Sequence, residues 1–261
     1  MWDRDILHKQ YDVASSRSGR KSYLMFEKDN SDTLLLCFSG KTATVRFDFY
    51  KTFTQHSICD NIDVMFLGDL KGHFYLGGIL GFSSNFEETL SKIKQLCIDK
   101  KYKKILFVGI SMGGYGVIMH ALHLAEIQEI PNIHCLIFNP YTIIPDHWIR
   151  DIKTSVNPDL VFYMLQRGIS KEQVYKMTVG LDERYIDLST IVDEYNLKQI
   201  DKVKIHVVYG KIKREADMVN KILKFNNLTR QTFDIKDHNI AGELSKLNML
   251  HPILERFILA S

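Results

Sequence analysis

The residues best suited to chemistry stand together in Gly109-Ile110-Ser111-Met112-Gly113-Gly114. An apolar run, Ile105-Leu106-Phe107-Val108, leads into them, and a nearly all-apolar segment over 113–124 leads away. Gly-x-Ser-x-Gly between a strand and a helix forces the serine into strained backbone geometry and leaves its hydroxyl exposed beyond the strand end. Gly109 and Gly113 matter there because side chains at those positions would collide in so tight a turn. The N–H of Met112, at the helix start, can point at a developing oxyanion, with the helix dipole adding to the stabilisation. A phosphate-binding turn is the competing reading of such a glycine-rich stretch. It would need Gly-Lys-Ser/Thr or Gly-x-Gly-x-x-Gly, and neither is present. A serine hydroxyl attacks only when a base removes its proton, so one of the ten histidines must serve it. His206 lies inside an apolar run and reads as core. His120 and His123 share the helix after the serine without nearby carboxylates, so no metal site is expected.

The surrounding elements must position that serine. Strands are expected over 21–27, 33–39, 63–67, 104–109, 134–139, 204–209 and 231–235. Several are continuous apolar runs, the mark of strands covered on both faces in a parallel sheet. Helices are expected over 113–124, 216–225 and 240–250, with a further short one near Pro252. Another begins at Ser84, whose spacing to Glu87 fits a capping box, followed by a stripe of Phe86, Leu90, Ile93 and Cys97. The alternation predicts an α/β, doubly wound, mostly parallel sheet in a single domain over 1–261. One long stretch, 141–203, separates the strands near 134–139 and 204–209 by far more than an ordinary connection. Its Trp148, Phe162, Tyr163, Met164 and Leu165 predict a helical cap over the serine that forms part of an acyl or alcohol pocket, although an ordinary decorated crossover would read similarly. The loop after the strand ending near Leu67 places His73 and Tyr75 as pocket-rim residues, or equally as loop packing.

Gly109-Ile110-Ser111-Met112-Gly113-Gly114 resembles the nucleophile elbow of the α/β-hydrolases, a superfamily of esterases, lipases, thioesterases and peptidases. The likeness extends, as an order of elements, from about Leu34 to the C-terminus. It implies the chain order serine, acid, histidine, with the histidine in a loop after the last strand. His238 fits that place; His251, inside a helical pattern, fits less well. It implies an acid after the preceding strand, for which Asp217 is the choice. Glu215 competes because the spacing from Gly210 is long, Asp146 is a third option, and Asp217 could simply stabilise a helix N-terminus. By analogy the second oxyanion donor is the Lys41 N–H, after a turn kept tight by Gly40. A Lys41 side chain at the site could attract an anionic substrate or merely be solvated.

The implied activity is hydrolysis of an ester or thioester through an acyl-enzyme, with Ser111, His238 and Asp217 as a catalytic triad and no cofactor. An O-acyltransferase, acetyltransferase or deacetylase acting on a bacterial glycan is the alternative enzyme, and a non-catalytic hydrolase-fold binding protein the alternative of another class. Composition is consistent with any of these: the 261 residues are 45% hydrophobic and 25% charged, as in ordinary globular domains. The net charge of +3 is dispersed, so nucleic acid is not expected as a partner; the resemblance implies a small-molecule or glycan acyl ester instead. No apolar run reaches the roughly 20 residues of a membrane span, and the charged N-terminus lacks a signal-peptide core, so a cytoplasmic location is expected. Cys37, Cys59, Cys97 and Cys135 form no CxxC pair and read as buried thiols. Oligomeric state leaves no mark.

Overall fold

The computed structural model describes residues 22–41, 47–55, 59, 61–69, 72–144, 183–198 and 200–260. Among the described residues seven strands form one sheet: β1 (Tyr23–Phe26), β2 (Thr33–Phe38), β3 (Asp63–Leu67), β4 (Lys104–Ile110), β5 (Ile133–Phe138), β6 (Val203–Gly210) and β7 (Leu228–Phe233). Their spatial order is β1-β3-β2-β4-β5-β6-β7. Only β1 runs antiparallel to its neighbour, so β2 to β7 bring their carboxyl ends to one edge.

Side chains alternate between two apolar layers, as the strand period of two requires. Leu34, Leu36 and Phe38 enter one core while Leu35 and Cys37 enter the other. The first layer is closed by α2 (Phe86–Lys100), α3 (Met112–Ala125), α4 (Leu188–Leu197) and α5 (Lys213–Asn220). The second is closed by α1 (Tyr50–Gln55), α6 (Ile240–Lys246) and α7 (Leu250–Ala260). This is the doubly wound arrangement expected. Every residue of β2 is buried, which explains its unbroken apolar sequence.

Local details differ from the sequence reading. The N-cap of α2 is Asn85, whose side chain accepts from the Glu88 N–H at 2.8 Å, while the Glu88 carboxylate accepts from Ser84 N at 2.7 Å. The capping exchange is therefore one residue further on than Ser84 with Glu87. β7 begins three residues earlier than expected because it is the edge strand, and its exposed Thr229 to Thr232 carry no apolar signal. The stretch 240–250 is broken, with Asn248 in the left-handed region at φ 58° and Pro252 in the first turn of α7. All four cysteines are free and buried, and burial pushes the Cys97 thiol up to about 12. Among the described residues no helix is long and apolar enough to cross a membrane.

Of the long stretch 141–203, the described parts are a neck and a crossover helix. Thr142 and Ile144 pair with Leu188 and Ile186 across the neck, and α4 packs on α3. Trp148, Asp146, Phe162, Tyr163, Met164 and Leu165, on which the expected cap depends, lie outside the described residues.

Candidate active site

Ser111 sits between β4 and α3 with φ 56° and ψ −119°, a backbone conformation that L-residues rarely hold. The neighbouring chain leaves it no room to relax. A Cβ on Gly113 would lie 2.1 Å from the Phe38 carbonyl oxygen, and one on Gly109 would lie 2.7 Å from Gly113 O. The turn is pinned by Ser111 N to Phe138 O at 2.9 Å and by Tyr141 N to Ser111 O at 3.1 Å. Ser111 Oγ thereby stands at the carboxyl edge of the sheet, at the N-terminus of α3 and beside Met112, whose N–H belongs to the first helical turn and has no intrahelical acceptor.

His238 approaches from the loop between β7 and α6. Its Nε2 is 2.8 Å from Ser111 Oγ, and its Nδ1 is 2.8 Å from Glu215 Oε1. Glu215 is 2% exposed, whereas Asp217 is exposed two residues further along α5. Two residues turn a helix by about 200°, so the two carboxylates face opposite ways. The expectation for Asp217 is corrected: α5 begins at Lys213, and that phase aims Glu215, the competitor, at His238.

Burial would raise the Glu215 carboxyl, but hydrogen bonds from Arg214 and His238 outweigh it and hold the group below its usual value. The Arg214 guanidinium donates to the same Oε1 at 2.7 Å and lies 5.8 Å from the centre of the Tyr141 ring. Tyr141 in turn packs 5.6 Å from the His238 ring. A carboxyl group lowered by folding contributes stability that is full above its unfolded value and lost as pH falls through the folded one. Arg214→Gln should therefore move the midpoint of acid unfolding to higher pH, followed by near-ultraviolet circular dichroism; an unchanged midpoint would remove Arg214 from this role.

Asn139 is a residue the sequence reading missed. It is fully buried with φ 41°, in the left-handed region that asparagine tolerates. Its side-chain amide donates to His238 O at 2.8 Å and accepts from Gly210 N at 3.1 Å. The ends of β5 and β6 are thus tied to the histidine loop through one side chain. Asn139→Ala leaves both partners short of a bond, and displacing a reacting group by an ångström can cost about 10²-fold in rate. A kcat fall of roughly that size with little change in KM is the expected result, measured by steady-state hydrolysis of a soluble ester.

The loop after β2 stands against the serine turn, since a Cβ on Gly40 would lie 3.3 Å from Ile110 O. Gly40 N donates to Asp48 Oδ2 at 2.8 Å, so this N–H is occupied by the protein itself, while Lys41 follows as an exposed residue. Tyr75, expected at the pocket rim, is fully buried. Its hydroxyl lies 2.7 Å from Ser39 O and 3.0 Å from Leu67 O, donating between the ends of β2 and β3 from beneath, where substrate has no access. His73 is also buried. His120 and His123 hydrogen-bond backbone carbonyls within α3, and burial takes His120 down to about 3. His206 is half-buried on β6 against Thr229 rather than in the core.

A serine hydroxyl, an imidazole and a buried carboxylate in series can move a proton away from Oγ while keeping the imidazole in one orientation. With this geometry the described chain has the α/β-hydrolase fold. It is similar to a carboxylesterase of the ammonia-oxidizing thaumarchaeon Nitrososphaera gargenis, with a TM-score of 0.55 and 14% identity over 94% of this chain and 97% of that one. It is also similar to FphF, a fluorophosphonate-binding serine hydrolase of Staphylococcus aureus solved with substrate bound, with a TM-score of 0.55 and 12% identity over 92% and 98% of the chains. A monoacylglycerol lipase of Paleococcus ferrophilus superposes with a TM-score of 0.52 and 16% identity over 92% and 99%. No protein-family model and no curated protein sequence matches the chain.

Proposed function

We propose that the protein is a serine hydrolase that cleaves a carboxylic ester or thioester through an acyl-enzyme on Ser111. The observation that carries the reading is the unbroken series Ser111 Oγ, His238, Glu215 at the end of the strand–helix turn. Ser111 Oγ attacks the acyl carbonyl as His238 Nε2 takes its proton, and Glu215 holds Nδ1–H. The N–H groups of Met112 and Lys41 receive the oxyanion. Collapse expels the alcohol or thiol, which leaves with the proton from His238. Water, deprotonated by the same imidazole, then releases the acid and restores Ser111. The structural neighbours support this reading, since those compared above are named as esterases, lipases or serine hydrolases.

A panel of acyl esters and thioesters of graded chain length tests the proposal, run in water alone and with sugar acceptors. Release of free acid in water, lost on Ser111→Ala, is the expected outcome. Product formed only on a sugar hydroxyl would make the protein an O-acyltransferase instead, and no turnover with any donor would count against both enzymes.

A further inference from the structure

At the opposite end of the sheet from Ser111, the first halves of β5, β6 and β7 and the later turns of α7 enclose a cleft of about 540 Å³. Lys204, at the start of β6, stands six residues before Gly210. At a rise of about 3.3 Å per residue it is therefore roughly 20 Å from the carboxyl edge that carries the serine site. The volume is in the range that takes up small molecules.

The lining is unusual in charge. His134, Lys204, His206 and Arg256 all face the cleft, and among the described residues no aspartate or glutamate does. Strand register brings them together, with His134 directly opposite Lys204 and His206 opposite Leu136, all on the α7 side. Some exposed cations elsewhere sit against carboxylates, as Lys198 does with Glu126 and Lys221 with Asp187. Among the described residues, Lys204 and Arg256 have no such ion pair. Burial, and after it the charges of Lys204 and Lys104, hold the His134 imidazole below its ordinary value. The partly buried Ile253 and Phe257 give the same cleft an apolar wall. Like charges gathered beside such a wall repel one another until an anion arrives.

We propose that this cleft binds a small amphipathic anion, a carboxylate or phosphate monoester head on an apolar chain, at a site separate from Ser111. The head is held by Lys204 and Arg256 and the chain lies on Ile253 and Phe257. The inference stands independently of the hydrolase reading.

The test follows the histidine ring signals of the full chain by nuclear magnetic resonance during titration with octanoate, octyl phosphate and uncharged octyl glucoside. The expected result is saturable movement of the His134 and His206 rings with octanoate or octyl phosphate, and none with octyl glucoside. Whichever anion acts shows which head the cleft selects. In the double variant Lys204→Gln, Arg256→Gln, affinity should fall about tenfold or more, as expected when charged hydrogen-bond donors are lost. Both side chains are exposed, and thermal unfolding of the variant verifies that the fold is retained. Movement of the His238 ring alone, equal response to octyl glucoside, undiminished affinity in the folded variant, or no movement at all would overturn the proposal.

Discussion

Replacing Ser111 with alanine should lower turnover of any ester substrate by about 10⁴-fold or more while leaving the fold intact. The size of the loss follows from the proposed role: no other atom at the site forms the acyl bond. The intact fold follows from the environment. Ser111 Oγ is bonded to His238 and fills no apolar cavity, and the turn is held by backbone contacts and by Gly109 and Gly113. Alanine inherits the φ 56° that serine already holds, so little change in thermal stability is expected. Full turnover by a folded Ser111→Ala protein would remove the proposed chemistry.

The second large effect separates two carboxylates two positions apart. Glu215→Gln should reduce kcat by about 10⁴-fold, because an amide cannot fix the imidazole tautomer that accepts the serine proton. Asp217→Asn should leave kcat within about twofold, since surface changes away from such contacts have small effects. Both constants come from one steady-state comparison with purified variants. The arrangement Ser111–His238–Glu215 predicts that only the first variant fails. Equal losses would mean that Asp217 reaches the site after all, and a severe loss in Asp217→Asn alone would restore the sequence-based choice.

That choice shows where sequence reading reached its limit. Ser111 was legible because its motif is local: seven strand residues, a five-residue turn and a helix occupy contiguous positions. His238 was legible because the element order of the resembling superfamily leaves few loops for it. The acid depended on helix phase. Whether α5 starts at Lys213 or Ala216 decides which carboxylate points inward, and its N-cap, Ile212, makes no side-chain cap that would mark the start. Asn139 gave no sequence signal at all. Its importance comes from a bond to His238 O across 99 positions of chain, which only the folded sheet creates. Tyr75 failed for the opposite reason. The loop that carries it does border the site edge, but the ring turns inward to close two strand ends. The strands themselves were legible almost throughout because β2 and β3 and nearly all of β4 are buried on both faces, and β5 and β6 are so over their later halves.

Reaction of the native protein with a fluorophosphonate, followed by mass spectrometry of its peptides, tests the central claim most directly. The reagent traps a serine only when a base activates it and an oxyanion pocket receives the phosphonyl oxygen. The proposed site predicts one adduct, on the peptide containing Ser111, formed rapidly by the native protein, slowly by Glu215→Gln and not at all after denaturation. Absence of an adduct on Ser111 in the folded protein, or equal labelling of native and denatured chains, would contradict it.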